Sequence, residues 1–294
     1  KALRAATQAR PSKHVSAVNE VQSPSEMWQL LKTGLRGHFP AMDELMGLTG
    51  LHQVKLQALR ILRKIESDKL LSARQRAPRS LNFTFMGNPG TGKTMVARLF
   101  AKILHETGAR SSAVMEETTG QKLVQDGAIK ADAVIQSAVN GVLFIDEAHS
   151  LDPKHNRSEG PAIVTKLLKA AEDQREHLTI ILAGYQDEIE ARLYASDPGF
   201  QSRFEDIVFP DYSEEELRAL FLALVLSKEW VLDPASPRLA QVVAARMARG
   251  RGSKGFANAR TVRSMVEKGI ERASLASRAP ILKVQDFIGE RPDV

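Results

Sequence analysis

The octet GNPGTGKT at residues 87–94 constrains this chain more than any other feature in it. It satisfies the pattern G-x-x-x-x-G-K-S/T, and its flanks fit. Residues 81–86 read as a buried strand, and 95–106 read as a helix closed by Gly108. A glycine-rich turn in that setting aims successive backbone N–H groups at one spot, in line with the positive end of the helix. The result is an anion site. Its expected members are Gly87, Asn88, Pro89, Gly90, Thr91, Gly92, Lys93, Thr94 and Met95. In a loop of this kind Lys93 reaches the β- and γ-phosphates of a nucleoside triphosphate, and the Thr94 hydroxyl ligates magnesium. Further on, GVLFIDEAH at 141–149 is an apolar strand ending in Asp146 and Glu147. Asp146 is expected to hold the same ion through its water shell, and Glu147 to serve as base for an attacking water. ATP and Mg2+ are therefore the expected ligands, with hydrolysis as the expected reaction.

The rest of the chain supplies a frame for that loop. Further strands are expected at 113–117, 142–145, 179–183 and 206–209, with helices at 51–76 and 131–139. Strands alternating with helices imply an α/β fold with a five-stranded parallel sheet covered on both faces. After Pro210 the strand signal disappears. Residues 213–229, 236–249, 258–277 and 284–288 read as four helices, with the loop GRGSKG at 250–255. The predicted layout is a linker over 1–40 with one short helix at 25–35, a large α/β domain over 41–209, and a small all-helical lid over 210–294. No internal repeat is found.

Composition mostly excludes. With no cysteine among 294 residues, a disulfide framework, a thiolate metal site and a thiol nucleophile are all ruled out. The seven histidines lack zinc-ligand spacing, and no apolar run approaches a membrane span. No membrane partner is expected. The location is read as intracellular, with cytoplasm, nucleus and organelle matrix indistinguishable. The start, KALRAATQAR, is basic and lacks Met, and is read as a cut from a longer polypeptide. A net charge of +6 permits a polyanionic partner without requiring one.

Several motifs together resemble one family. The 87–94 loop, the IDEA segment, LAGY at 182–185, DPGFQSRF at 197–204, FPDYSEEEL at 209–217 and GFANARTVR at 255–263 are similar to the CbbX/CfxQ branch of the AAA+ ATPases. That branch includes the red-type Rubisco activases. Finer details resemble eukaryotic members from fungi and oomycetes that carry such modules in tandem, and VQDFIGERP is similar to their module junctions. The resemblance implies an ATPase that couples hydrolysis to remodelling of a protein partner, working as a ring, hexameric in the family pattern. It assigns Arg203 as the arginine finger that enters a neighbouring subunit's site, where a guanidinium neutralises transition-state charge. It assigns Arg260 as the residue sensing γ-phosphate from the lid, with Arg263 one turn on as the fallback. Met46, Gly47 and Leu48 match the segment that packs around adenine, and Tyr185 falls where a polar sensor of γ-phosphate usually stands.

One departure bears on the partner. Family activases carry an aromatic after GQ on a pore loop, whereas this chain has Lys122 in GQKLV, leaving Leu123 or Val124 for a weaker apolar grip. A slow nucleotide-dependent switch or scaffold is therefore an alternative to a motor. Nucleic acid is a third, less favoured partner. It would use basic residues at Lys55, Arg60, Arg63, Lys64, Lys69, Arg74, Arg76 and Arg79, and at Arg246, Arg249, Arg251 and Lys254, but no aromatics interleave them for base stacking.

Overall fold

A computed structural model of the chain describes residues 23–35, 37–71, 80–152, 159–276 and 280–288. Its centre is a five-stranded parallel sheet: β1 (Asn82–Gly87), β2 (Met115–Thr119), β3 (Val142–Asp146), β4 (Thr179–Gly184) and β5 (Phe204–Phe209). The strands lie in the order β2-β3-β4-β1-β5. Each of the five expected strands is present, within two residues at its ends.

The alternation of side chains along each strand explains the two cores. Phe83, Phe85, Phe144, Ile181 and Ala183 face one layer, and Leu143, Ile145, Ile180 and Leu182 face the other. Both faces are covered, so β1, β3 and β4 read as nearly unbroken apolar runs. The first layer holds α1 (Pro24–Gly34), α2 (Pro40–Gly47), α3 (His52–Lys69) and α4 (Lys93–Glu106). Phe100 of α4 meets Phe83 and Phe85 edge-on, at 5.5 and 5.4 Å between ring centres. The second layer holds α5 (Gly120–Ser137) and α6 (Gly160–Asp173), with the short helices α7 (Gln186–Glu188) and α8 (Gly199–Arg203) and a π-helical turn at Ile189–Tyr194 between them.

The helix expected at 25–35 is α1, and it does not merely connect. Trp28 is fully buried, packs edge-on against Phe39, and donates from Nε1 to Asp43 Oδ1 at 2.8 Å. Residues 1–22 of the expected linker lie outside the described residues. On α3, Lys55 is buried and donates to the Leu48 carbonyl, so it leaves the basic face to which the sequence assigned it. Arg60, Arg63 and Lys64 are exposed, while Arg74, Arg76 and Arg79 lie outside the described residues.

After Pro210 the four expected helices follow as α9 (Glu214–Ser227), α10 (Leu239–Ala248), α11 (Asn258–Leu275) and α12 (Val284–Ile288). One small addition accompanies them. Val231–Leu232 (β6) pairs in parallel with Ile281–Leu282 (β7) and ties the end of α9 to the start of α12. A capping box starts α9, with Ser213 and Glu216 each accepting from the other's backbone N–H.

The segment compared with a pore loop is helical. Thr119 caps α5 by accepting from Lys122 N at 3.1 Å, and Lys122 is exposed in the first turn. Leu123 is buried in the core and offers no grip, while Val124 is half-buried against the same core. The helix kinks at Gly127 (φ 80°), and the residue left in solvent just beyond is Ile129, 88% exposed.

Candidate active site

Strand register assembles the site. Thr119 pairs with Asp146, Ile145 with Leu182, Met86 with Gly184, and Gly87 with Phe209. The carboxyl ends of all five strands therefore finish at one edge, where ligands of open α/β sheets bind. The 87–92 loop leaves β1 there and feeds directly into α4.

Within the loop, Thr91 Oγ1 donates to the Asn88 carbonyl at 2.8 Å and fixes the turn. Lys93 Nζ donates to the Gly87 and Asn88 carbonyls at 2.8 and 2.9 Å. Burial pulls its pKa down to about 8. Asp146 opposes that shift, and Arg260 adds to it. An ammonium that is poorly solvated and beside a second cation is poised for a polyanion. Gly90 (φ 71°) is required on steric grounds, because a Cβ there would stand 2.2 Å from the Ala257 carbonyl.

Asp146 ends β3 and accepts from the Glu147 N–H at 2.9 Å. Glu147 then takes left-handed backbone angles (φ 49°, ψ 41°), which cost a non-glycine residue about 1–3 kcal/mol and cluster at functional sites. The first residue of α5 packs against this turn: a Cβ on Gly120 would lie 2.7 Å from the Glu147 carbonyl.

A cleft of about 470 Å³ opens between the loop and α11, walled by Gly87, Pro89, Gly90, Gly92, Lys93, Thr94 and Met95 on one side. Asp146, Glu147, Gly184 and Tyr185 form its floor, and Arg260 and Arg263 reach in from α11. Thr91 is buried behind the loop, and Asn88 turns outward to a second hollow. The cleft thus gathers Lys93, Thr94, Asp146, Glu147, Tyr185 and Arg260. Arg203 is not among its lining residues. Its guanidinium donates to the Gly199 carbonyl and Ser202 Oγ, both at 3.2 Å, and pairs with Glu172 at 3.4 Å. Met46, Gly47 and Leu48 are also absent from the lining. Met46 sits in the core, and Leu48 is held through its carbonyl by Lys55.

Five lining residues were not singled out from the sequence, although they sit inside quoted motifs or beside them. They are Gly184 of LAGY, His149 of GVLFIDEAH, Tyr212 of FPDYSEEEL, Ala259 of GFANARTVR, and Leu220. The strongest missed feature is a polar latch. Asp211 accepts from Asn88 Nδ2 (3.0 and 3.1 Å), the Gly252 N–H (2.8 Å) and Asn258 Nδ2 (2.7 Å). Asn258 is fully buried with φ 47°, donates also to the Pro89 carbonyl, and accepts from the Tyr212 N–H at 2.9 Å. The Ala259 N–H donates to the Gly90 carbonyl. The phosphate-type loop is thereby bonded directly to the start of α11. On its far flank Lys254 bridges Asp187 and Glu188 at 2.8 and 2.6 Å and stands over the Tyr185 ring.

The donor set fits the two groups implied by the motif. Among the described residues, no cluster of three or more His, Asp or Glu could hold an ion by itself. Magnesium needs none, because it takes one or two protein oxygens together with phosphate and water. Thr94 and Asp146 offer those two in one cleft beside Lys93.

Comparison with known proteins agrees with this geometry. Residues 83–210 match the model of the ATPase family associated with various cellular activities (AAA). The chain is 37% identical over 230 residues to the plasmid protein CbxX of Cupriavidus necator, covering 75% of this chain and 71% of that protein. Protein CfxQ of Xanthobacter flavus is 37% identical over 248 residues, covering 80% of this chain and 74% of that protein. A chloroplastic ribulose bisphosphate carboxylase/oxygenase activase of Cyanidioschyzon merolae is 35% identical over 253 residues, covering 82% and 84%. Among solved structures, a Thermotoga maritima RuvB mutant superposes with a TM-score of 0.58 at 20% identity, covering 84% of this chain and 70% of that chain. That likeness speaks to the fold alone. With its sheet, its phosphate-type loop and relatives matched over most of their length, the chain belongs to the AAA family of ATPases, in the group of CbxX and CfxQ.

Proposed function

We propose that this chain is a magnesium-dependent AAA+ motor module that couples ATP hydrolysis to remodelling of a protein partner, as one subunit of a ring. The observation that carries the reading is the convergence of Lys93, Thr94, Asp146, Glu147 and Arg260 on a single cleft. The loop amides and Lys93 bind the phosphates. Thr94 and Asp146 hold the ion, which when bound neutralises charge on the β- and γ-phosphates. Glu147, held beside Asp146, accepts the proton of the attacking water. Arg260 contacts the γ-phosphate from α11, and Tyr185 lies beside it as a polar neighbour. Met46, Gly47 and Leu48 lie outside the cleft lining, and the adenine contact proposed for them has no support from it.

Arg203 supports the ring. It lies outside its own cleft, partly exposed at the end of α8, so it can complete only another copy's site. A hexamer follows the family pattern. Residues 41–209 and 210–294 act as two domains whose relative angle changes when γ-phosphate is lost, with the latch at Asp211 and Asn258 as the joint. The ETTG segment and GRGSKG loop support placing the chain with tandem-module eukaryotic relatives. A protein substrate is favoured because the relatives include a ribulose bisphosphate carboxylase/oxygenase activase, which acts on an enzyme. A slow switch is the second reading, favoured by Lys122 at the pore position.

The test is ATP hydrolysis per protomer as protein concentration is raised, with Arg203→Ala alongside. Specific activity is expected to climb with concentration, and the variant to stay about 1,000-fold lower or more, on the order of what a trans arginine contributes. Activity that is constant with concentration and indifferent to Arg203 overturns the ring and favours the switch.

A further inference from the structure

We infer that Glu172 is the positioning residue for Arg203, holding its guanidinium so that one amino group stays free for a phosphate in a second copy's cleft. The inference rests on the reading of Arg203 proposed above. Glu172 lies in the last turn of α6, and Arg203 ends α8. Glu172 Oε2 stands 3.4 Å from Arg203 Nε. That Nε is buried and makes no hydrogen bond, so the pair is held by charge and not by a directed bond. The other oxygen of the carboxylate is fixed independently, because Arg175 Nη1 donates to Oε1 at 2.8 Å.

The contacts of this guanidinium use Nη1 and Nε and leave Nη2. Nη1 donates to the Gly199 carbonyl and Ser202 Oγ, and Nε faces Glu172. Among the described residues nothing meets Nη2, on a side chain that is 33% exposed. A free guanidinium amino group is a strong donor to a phosphate oxygen. The base beneath is stiff. Buried Arg110 donates to the carbonyls of Arg175, Glu176 and Leu178 at 3.0, 3.1 and 2.8 Å, pinning the turn that follows α6. Ser80 Oγ donates to the Arg203 carbonyl at 2.8 Å. Gly199 lets the guanidinium lie against the α8 backbone, since a Cβ there would stand 3.0 Å from Nη1. What is left to be oriented is the long Arg203 side chain, rich in rotamers, and the Glu172 charge restrains it.

A surface ion pair contributes little to stability. Its effect on rate is larger here, because an arginine that reaches across a subunit boundary acts only from a narrow range of positions. Glu172→Gln keeps the shape and removes the charge. Arg175 and Arg203 then flank a neutral amide as two cations, and they separate. Arg203 stays chemically intact but is delivered less often. Glu172 is not among the residues lining the cleft, so ATP binding in the protomer's own site is untouched.

The experiment compares Glu172→Gln, Arg203→Ala and Glu147→Gln in the full chain, each alone and the first two also mixed in equal amounts with Glu147→Gln. It reads kcat at saturating ATP with magnesium, at protein concentrations where wild-type activity has levelled off, and Kd for a non-hydrolysable ATP analogue. Glu172→Gln is expected to lose about tenfold in kcat, with Kd held within about threefold. Glu147→Gln protomers lack their own base but carry Arg203 and Glu172 intact. Equal mixing gives about half of the Glu172→Gln sites such a neighbour, so their rate should climb about fivefold, from about a tenth to about half of wild type. A fold defect inside the Glu172→Gln protomer would not respond to its neighbour. Wild-type kcat in Glu172→Gln overturns the proposal. So does a loss that mixing leaves unrepaired while the same mixing repairs Arg203→Ala. If Arg203→Ala keeps the wild-type rate or is not repaired, or if Glu147→Gln hydrolyses normally, the reading of the site itself fails and the proposal falls with it.

Discussion

Lys93 carries its charge at a cost to the nucleotide-free protein, and the size of that cost can be worked out. Burial lowers its pKa from 10.5 to about 8. At about 1.36 kcal/mol per unit, the ammonium destabilises the folded chain by about 3 kcal/mol below pH 8. The sign follows from proton counting. Between pH 8 and 10.5 the unfolded chain keeps this proton while the folded chain has lost it, so unfolding free energy rises with pH across that window. Lys93→Met keeps the apolar stem and removes the charge. For 294 residues, an unfolding entropy of about 2 cal/mol/K per residue converts 3 kcal/mol into about 5 °C of Tm. Without nucleotide, Lys93→Met should melt about 5 °C above wild type at pH 7, and the gap should close toward pH 10. ATP with magnesium reverses the order: at about 100-fold excess over Kd wild type gains about 2.7 kcal/mol, and the variant gains none. Thermal melts at several pH values with and without ATP read both effects. A gap that does not change with pH, or a variant that melts below wild type at pH 7 without ATP, refutes the burial argument.

Two further perturbations test the joints around the cleft. Asn258→Ala removes the donor shared by Asp211 and the Pro89 carbonyl and leaves the Tyr212 N–H unpaired in a fully buried place. It should cost about 3 kcal/mol and weaken ATP binding, read by a melt and a nucleotide titration; an unchanged Tm means the latch is cosmetic. Gly120→Ala places a Cβ 2.7 Å from the Glu147 carbonyl and must displace the strained turn. Hydrolysis should fall about tenfold with nucleotide affinity retained, measured as kcat against Kd, and equal loss in both would point to general damage instead.

How much of this was legible in the sequence depended on how local the signal was. The loop from Gly87 to Thr94 and the Asp146–Glu147 pair announce themselves because their chemistry is written in consecutive residues. β1, β3 and β4 were legible because a sheet covered on both faces demands unbroken apolar runs. β2 shifted by two residues from its expected place, since as an edge strand reading MEETT it is half exposed and carries no such run. The helix α6 went unassigned although Ile163, Val164, Leu167 and Ala171 repeat at helical spacing. α5 was expected only from 131, because glycines at 120 and 127 mask its first turns. Two-residue β6 and β7 have no sequence signature at all. The latch was out of reach for a different reason: Asn88, Asp211 and Asn258 are far apart in sequence, and each looks like an ordinary loop polar residue until the fold brings them together.

That latch bears on how nucleotide state would reach the rest of the molecule. The phosphate-type loop is usually pictured as a cradle fixed to the sheet, with a separate lid closing over the nucleotide. Here the loop is bonded to both at once. Asn88 reaches Asp211 and the Ser253 carbonyl, Gly90 accepts from Ala259, and Pro89 accepts from Asn258. The start of α11 therefore cannot move without either carrying the 88–90 backbone with it or breaking several partly buried hydrogen bonds. Arg260 follows directly in the same helical turn and points into the cleft. On the proposed roles of Lys93 and Arg260, loss of γ-phosphate would leave two cations near one another, and the Arg260 charge already lowers the Lys93 pKa. The cheapest relief is rotation of α11 away from α4 about the latch, with Asp211 keeping its three donors as the pivot. A joint of this kind turns loss of one anion into a change of angle between sheet and helices. It predicts that Asp211 variants, and not only Arg260 variants, uncouple hydrolysis from movement: fluorescence transfer between labels on α3 and α10 should change with nucleotide in wild type and stay fixed in Asp211→Ala, even where that variant still turns over ATP.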